Sequence, residues 1–277
     1  QIEVLASDPS NPVEGQVWFN STSGAVKGKI LAAASGWATG TALNTGRQNA
    51  AAAGVSNSSS LCFGGAEPTI TAKTESYNGS AWTEVADLNQ ARRDLGGSGT
   101  QTSALAYGGA ESVPTASAKT NKWNGSTWTE VADMPTAKYV YAGCAGADNE
   151  SALAFGGNTP PGTNAKAENE LWNGTSWTQQ SILNTARLEL AGNGTATSAL
   201  AFGGAPAPGS VVGLTEEWNG VTWTEVADLN AGRFNLAGAG ADNTDGLAIS
   251  GEGSPGAIST ATEEWSSSSN VIKTLTD

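Results

Sequence analysis

One short block of sequence recurs four times in this chain of 277 residues. It reads YNGSAWTEVAD from Tyr77, WNGSTWTEVAD from Trp123, WNGTSWTQQSI from Trp172 and WNGVTWTEVAD from Trp218. A glycine pair recurs with it, at Gly64-Gly65, Gly108-Gly109, Gly156-Gly157 and Gly203-Gly204, and Ser250-Gly251 continues the series. A period of this length predicts one supersecondary unit that is repeated, with neighbouring units burying each other's faces.

Each unit predicts four short strands. In the unit that begins at Arg187 they are RLELAGNG, SALAFGG, TEEW and WTEVADL. Asn-Gly between the third and fourth strands predicts a tight type I′ hairpin, which requires positive φ at both central residues. No window shows sustained helical spacing, and 36 glycines disfavour helices. The sequence therefore predicts an all-β fold.

The unit resembles the kelch repeat. That family has a double glycine at the end of strand two, then an aromatic residue, then a tryptophan, here Gly108-Gly109, Trp123 and Trp128. The match covers residues 36–277 and departs in the last unit, where EWSSSSNVI replaces the Asn-Gly turn and the second tryptophan. The resemblance implies a β-propeller of four-stranded kelch-like blades. Residues 44–277 give five complete units, and six blades is the alternative.

The predicted outer strand GWATGTALN, at the start of the repeat, has two interpretations. A cation follows the second tryptophan of each hairpin after ten residues, and Trp37 and Arg47 keep this spacing. This strand either completes the ring beside the last unit or begins an incomplete sixth blade.

The charge balance restricts the classes of partner that we expect the chain to bind. The chain has 13 Lys and Arg against 26 Asp and Glu, a net charge of −13, so nucleic-acid phosphates and anionic lipid should repel it. No apolar run approaches the roughly 20 residues that a membrane span requires. We therefore expect neither nucleic-acid binding nor membrane insertion.

Catalytic groups are scarce. With no histidine, Ser-His-Asp and Cys-His nucleophiles and histidine-ligated zinc are excluded. Glu216, Glu217, Glu263 and Glu264 could form a glycosidase pair, but they repeat from unit to unit, as surface or pairing groups do. Asp148-Asn149 and residues 242–245 resemble calcium ligands only faintly, and turn chemistry explains them. The prediction is a protein that is not an enzyme and that uses no metal or cofactor.

Two sets of residues are predicted to meet on one face. The 2–3 loops vary and contain proline; they begin at Ala66, Ala110, Asn158, Ala205 and Glu252. Five cations, predicted to start the inner strands on the same face, are Arg47, Arg92, Lys138, Arg187 and Arg233. They either bind an anion or acidic glycan at the central opening, or pair with acidic residues of a neighbouring blade and with exposed carbonyls.

A second resemblance concerns function. LNTARLELAGNGTATSALAFGG is similar to kelch-like repeats of structural proteins of marine bacteriophages, and PVEGQVWFNSTSGAVKG is similar to a short motif common in phage tail and fibre proteins. The resemblance implies a virion protein: a tail fibre or other appendage that recognises a host-surface glycan or protein. A capsid decoration or head-fibre protein is one alternative, and a carbohydrate-active enzyme is another.

The first residues differ from the repeat. ASDPSNPVEGQ contains two prolines, so residues 6–14 are predicted to be extended, and QVWFNSTSGAVKGKI is predicted to form a hairpin. We therefore predict an attachment segment over residues 1–35, which binds other virion proteins, and a propeller over residues 36–277.

Overall fold

The computed structural model describes residues 3–10, 16–28, 40–140, 144–160, 164–208, 210–253 and 257–266. The chain divides into two compact units, residues 1–40 and 41–277. The regular elements of the described residues are all β-strands, which confirms the all-β prediction. Over those same ranges, no helix is long and apolar enough to cross a membrane.

The first unit contains a three-stranded sheet. Its strands are β1 (Glu3–Leu5), β2 (Val17–Asn20) and β3 (Ala25–Gly28). β2 and β3 pair antiparallel, which confirms the predicted hairpin. β1 pairs parallel to β2, which the sequence did not predict. Of the segment predicted to be extended, residues 11–14 lie outside the described ranges.

The second unit begins with two six-strand repeats. The first contains β4 (Ala51–Ser56), β5 (Ser59–Phe63), β6 (Ala66–Glu67), β7 (Thr69–Ile70), β8 (Thr74–Tyr77) and β9 (Trp82–Glu84). The second contains β10 (Gly96–Gly99), β11 (Ala104–Tyr107), β12 (Ala110–Ser112), β13 (Thr115–Ala116), β14 (Thr120–Trp123) and β15 (Trp128–Glu130).

Three further repeats follow in chain order. The third contains β16 (Cys144–Gly146), β17 (Ala152–Phe155), β18 (Asn158–Thr159), β19 (Asn164–Ala165), β20 (Asn169–Trp172) and β21 (Trp177–Gln179). The fourth contains β22 (Ala191–Thr195), β23 (Ser198–Phe202), β24 (Thr215–Trp218) and β25 (Trp223–Glu225). The fifth contains β26 (Ala237–Asp242), β27 (Asp245–Ile249), β28 (Glu252–Gly253), β29 (Ala257–Ile258) and β30 (Thr262–Ser266).

Each repeat builds one larger antiparallel sheet, and we number these sheets I to V. Four repeats add a separate two-stranded sheet: β6-β7, β12-β13, β18-β19 and β28-β29. The strand orders of sheets I to V are β4-β5-β8-β9, β10-β11-β14-β15, β16-β17-β20-β21, β22-β23-β24-β25 and β26-β27-β30. The predicted four-stranded unit is thus present in sheets I to IV. Sheet V has three strands among the described residues. The predicted fourth strand WTEVADL is shorter than expected, because β25 ends at Glu225.

The first strands of the sheets lie side by side. β4 contacts β10, β10 contacts β16, β16 contacts β22 and β22 contacts β26. A cavity of about 570 Å³ is lined by residues of all five of these strands, Gly97, Gly146, Gly192 and Gly238 among them. A Cβ on Gly238 would lie 2.6 Å from the carbonyl oxygen of Gly192, so glycine permits this close approach.

Tryptophans bury the surfaces between consecutive sheets. Trp223 of sheet IV packs edge to face on Phe155 of sheet III, with ring centroids 5.0 Å apart. Equivalent pairs join sheets I to III, Trp128 with Phe63 and Trp177 with Tyr107. The repeated second tryptophan therefore covers the neighbouring sheet, as its recurrence predicts.

The Asn-Gly turns differ from the predicted type I′ geometry. Gly125 has a φ of +95°, whereas Asn124 is not among the described residues with positive φ. Instead, Asn124 Oδ1 accepts hydrogen bonds from the backbone N–H groups of Ser126 at 3.0 Å and Thr127 at 2.9 Å. The prediction of positive φ at both central residues was wrong, because the asparagine side chain closes the turn as an Asx cap.

The outer strand GWATGTALN falls largely outside the described ranges. Residues 36–39 belong to the part of the chain that the structure does not describe, and residues 40–44 form no strand.

Candidate functional site

The side chains of the five predicted cations are buried. Arg92, Lys138 and Arg187 are fully buried and Arg233 is 1% exposed, while the side chain of Arg47 is also excluded from solvent. Each cation lies a few residues before the first strand of its sheet, rather than at the start of that strand as predicted.

Arg187 shows how each cation is held. Its Nη1 donates to the carbonyl oxygens of Gly203 at 2.9 Å and Leu214 at 2.6 Å, and its Nη2 donates to Glu216 Oε1 at 2.8 Å. The other cations have equivalent carboxylate or amide partners: Arg47 with Glu75, Arg92 with Asn121, Lys138 with Glu170 and Arg233 with Glu263. The cation therefore ties the end of strand two to strand three within one sheet.

Sheet II departs from this pattern because Asn121 stands where the other sheets have glutamate. Arg92 donates to the carbonyl oxygens of Gly108 and Lys119 and to Asn121 Oδ1. Burial lowers the pKa of Arg92 to about 10, against the weaker raising effect of Glu111, Glu130 and Asp133.

These contacts favour the second interpretation of the five cations. These guanidinium groups are buried and hydrogen bonded within their sheets, so they present no solvent-exposed donor to an external anion, even though the Nε atoms of Arg47, Arg92 and Arg233 have no hydrogen-bond partner. The acidic partner belongs to the same sheet, not to a neighbouring one. The same contacts use Glu216 and Glu263, which the sequence offered as catalytic carboxylates.

A second cavity of about 520 Å³ lies beside the segments that carry the cations and lead into the first strand of each sheet. We call these segments the links between sheets. The cavity is lined by Asn49, Ala50, Arg93, Asp94, Leu95, Glu189, Asn235 and Leu236. Ala50, Leu95 and Leu236 also line the larger cavity between the first strands. We call this second cavity the polar mouth, because five of its eight lining residues are polar or charged.

The polar mouth is built from strained backbone. Asn49, Asp94, Glu189 and Asn235 have φ values between +50° and +57°, in the left-handed region. Backbone hydrogen bonds connect consecutive links there, from Asp94 N to Asn49 O and from Asn235 N to Glu189 O, both at 3.0 Å. Asparagine and aspartate tolerate this conformation better than glutamate does. Strain of this kind is common at functional sites.

Two carboxyl groups of the mouth have unequal surroundings. Asn49 Nδ2 donates to Asp94 Oδ1 at 2.5 Å, and Arg93 Nε lies 3.4 Å from Asp94 Oδ2. Burial nevertheless raises the pKa of Asp94. Burial also raises the pKa of Glu189, and the nearby charges of Glu252 and Asp94 raise it further. The Glu189 carboxylate meets no hydrogen-bond donor among the described residues.

Sequence reasoning missed the polar mouth. Its strained residues lie two positions after the cations, where the five units carry Asn49, Asp94, Val140, Glu189 and Asn235. Because the residue type changes from unit to unit, this position gives no repeat signal. Asparagine and aspartate at three of the five places are a weak signal for left-handed backbone.

The 2–3 loops contact the links that build the mouth. Bridges join Gln48 to Ala66, Arg93 to Ala110, Tyr139 to Asn158, Leu188 to Ala205 and Phe234 to Glu252. Apolar side chains of these loops are exposed: Val113 by 62% and Ile258 by 84%. The links that form the mouth therefore lie beside variable loops, as predicted.

In the two acidic turns that faintly resemble calcium sites, the aspartate side chain accepts hydrogen bonds from the backbone of its own turn. Asp148 Oδ1 accepts from the N–H groups of Glu150 and Ser151, at 2.8 and 3.1 Å. Asp242 Oδ1 accepts from the N–H and the hydroxyl of Thr244, which lowers the pKa of Asp242. Both carboxylates are used as turn caps.

No protein-family model matches the chain, and no curated protein is significantly similar to it.

Proposed function

We propose that residues 41–277 form a five-bladed β-propeller that serves as a binding module without catalytic activity. Three observations support five blades: five repeated sheets, first strands that touch in chain order, and one cavity lined by all of these strands. A propeller brings its 2–3 loops to one face, where they can vary without disturbing the packed strands.

The polar mouth is the place where we expect recognition. This is the observation that carries the proposal: a cavity of about 520 Å³ with two carboxyl groups of raised pKa stands beside variable loops. The five buried cations have structural partners and are not expected to bind the ligand. Carboxylates, amides and one guanidinium around a small apolar floor suit the hydroxyl groups of a glycan.

We propose further that the module belongs to a bacteriophage virion, as a tail fibre or other exposed appendage. The support is the resemblance of the repeat and of residues 12–28 to phage structural proteins. Residues 1–35 would bind other virion proteins, and the loop face would contact a glycan or protein of the host surface.

Mass spectrometry of purified phage particles tests the virion proposal. We expect peptides of this chain in the particles, and their absence would contradict the proposal.

Adsorption assays test recognition. Purified protein should compete with particles for host cells, and Glu189→Ala with Asp94→Ala should compete less well. Glu225→Gln, an exposed change on β25, is the matched control. A protein that is present in particles but never competes would be a capsid decoration. Hydrolysis of host polysaccharide would show an enzyme instead.

A further inference from the structure

Glu189 borders two cavities. It lines the polar mouth, and it also lines a smaller cavity of about 150 Å³, which we call the side pocket. The walls of the side pocket include the apolar side chains of Leu188, Val211 and Phe234. Glu189 therefore stands where a polar cavity meets a largely apolar one.

Main-chain contacts hold this arrangement in place. Asn235 N donates to Glu189 O at 3.0 Å, which joins the link into sheet V to the link into sheet IV. Leu188 also pairs with Ala205 of the 2–3 loop in sheet IV. Because Leu188 and Phe234 are the chain neighbours of Glu189 and Asn235, the bond between the links brings the carboxylate and the apolar walls of the side pocket together.

The charges around Glu189 are unbalanced. Arg93 Nε lies 3.4 Å from Asp94 Oδ2, so the guanidinium of the mouth already has a carboxylate partner. Neither Glu189 nor Glu252 forms an ion pair with any residue that the structure describes. Burial raises the pKa of Glu189, and the charges of Glu252 and Asp94 raise it further. A cation bound beside Glu189 would relieve this repulsion.

The residue type at this position is also unusual. Glu189 has a φ of +55°, and the equivalent positions of three other links carry Asn49, Asp94 and Asn235 with similar φ values. Asparagine adopts the left-handed backbone more readily than glutamate does. A strained glutamate that the backbone itself does not require points to a function of its carboxylate.

The sign of the charge bears on the class of ligand. The mouth should repel an acidic glycan, because Asp94 and Glu189 outnumber its one guanidinium. We propose that the ligand of the polar mouth is a glycan with a free primary amine, whose ammonium group binds Glu189 and whose apolar ring face packs in the side pocket. A contact between carboxylate and ammonium is stronger in a partly buried cavity than in bulk water. This inference rests on the proposed function, because it names the ligand of the same site.

Two oligosaccharides that differ in charge test this inference. Oligomers of glucosamine carry ammonium groups, and the fully N-acetylated oligomers of the same length carry none. Isothermal titration calorimetry with the purified full chain at pH 7 should show about tenfold tighter binding of the amine oligomer. Glu189→Gln should remove this difference. Glu225→Gln makes the same change in net charge at an exposed position of β25 and should keep it.

The outcomes separate this inference from the proposed function. Equal binding of the two oligomers would overturn the inference and would support a neutral glycan at the same site. No binding of either oligomer would also overturn it, while the adsorption assay would still decide whether the module recognises the host. An amine preference that survives Glu189→Gln would show general attraction to an acidic protein and would overturn the inference as well. Tighter binding of trilysine than of the amine oligomer would overturn it in favour of a basic peptide.

Carbon-13 NMR of the carboxyl groups gives a second measurement, which needs no variant to fold. The amine oligomer should shift the signal of Glu189 in the unaltered protein and leave the signal of Glu225 in place. Equal shifts of the two signals, or no shift of either, would contradict the assignment of Glu189 to the ammonium group.

Discussion

Arg187 Nη2 lies 2.8 Å from Glu216 Oε1, and both side chains are excluded from solvent. Glu216 also accepts from the backbone N and the Nδ2 of Asn184. One carboxylate therefore holds the link into sheet IV as well as the cation. Removing it would leave the buried charge of Arg187 without its carboxylate and would break the hydrogen bonds from Asn184 N, Asn184 Nδ2 and Thr185 N.

Glu216→Ala should lower the free energy of unfolding by about 3–5 kcal/mol, the usual cost of breaking a buried ion pair. Asn121→Ala is the matched comparison, because Arg92 there loses an uncharged acceptor, at a cost of about 1–3 kcal/mol. Urea unfolding followed by circular dichroism measures both. Equal losses would argue against a special contribution of the carboxylate.

The bond from Trp177 Nε1 to Thr120 Oγ1 predicts a measurable coupling between sheets II and III. Thr120→Val keeps the shape but leaves a buried indole N–H unsatisfied, which should cost about 1–3 kcal/mol. Thr120→Ser keeps the hydroxyl and is the control. In thermal unfolding the melting temperature should fall in the order parent, Thr120→Ser, Thr120→Val. A lower melting temperature for Thr120→Ser than for Thr120→Val would contradict the role of this bond.

The Asn124-Gly125 turn predicts two separate losses. Gly125→Ala should cost about 1–2 kcal/mol because its φ is +95°. Asn124→Ala should cost about 1 kcal/mol because two hydrogen bonds of the cap are lost. Asn124→Asp keeps the acceptor oxygen and should be close to the parent. A larger loss for Asp than for Ala in chemical unfolding would exclude the Asx cap.

The repeats were sufficient to predict strands, their order within sheets I to IV and the role of the second tryptophan, because these features recur in the first four units. The sequence predicted the five cations beside the 2–3 loops, but it did not predict that their side chains are buried. Arg187 and Glu216 each belong to a series with the same period, one positive and one negative. The sequence offered pairing with acidic residues of a neighbouring blade; reading the two series together would have predicted a partner in the same unit.

The polar mouth could not be predicted from repetition, because its residues differ between units. Asp94 and Glu189 meet only when the links between sheets converge, and this depends on the arrangement of the sheets. The prediction of a type I′ turn at Asn124 was wrong for a different reason. Asn-Gly is compatible with several turns, and the side-chain cap that decides between them is a local geometric detail.

Asp8 predicts a pH dependence in the first unit. Hydrogen bonds from Lys27, Asn20 and Trp18, in that order of effect, lower the pKa of Asp8 from 3.8 to about 2. Because the folded pKa is the lower one, the stabilisation is present above pH 3.8 and is lost as the pH falls through about 2. Carbon-13 NMR titration of the Asp8 carboxyl should give this midpoint in the parent.

Lys27→Met is the variant for this titration. It removes the largest cause of the shift, so the midpoint should move back toward 3.8. An unchanged midpoint would show that Lys27 does not hold the carboxylate in solution.

Glu189 combines two unfavourable features, a φ of +55° and a carboxyl group whose pKa is raised by burial and by Glu252 and Asp94. Glu189→Gln removes the charge, whereas Glu189→Asn removes the charge and tolerates the left-handed backbone better. We therefore expect the melting temperature at pH 7 to rise in the order parent, Gln, Asn. With the folded pKa above the unfolded one, the parent should gain stability as the pH falls toward 4.5, and neither variant should show this gain.

If Glu189 is strained for recognition, the more stable variants should compete less well for host cells than the parent does. Stabilised variants that compete fully would remove Glu189 from the proposed site.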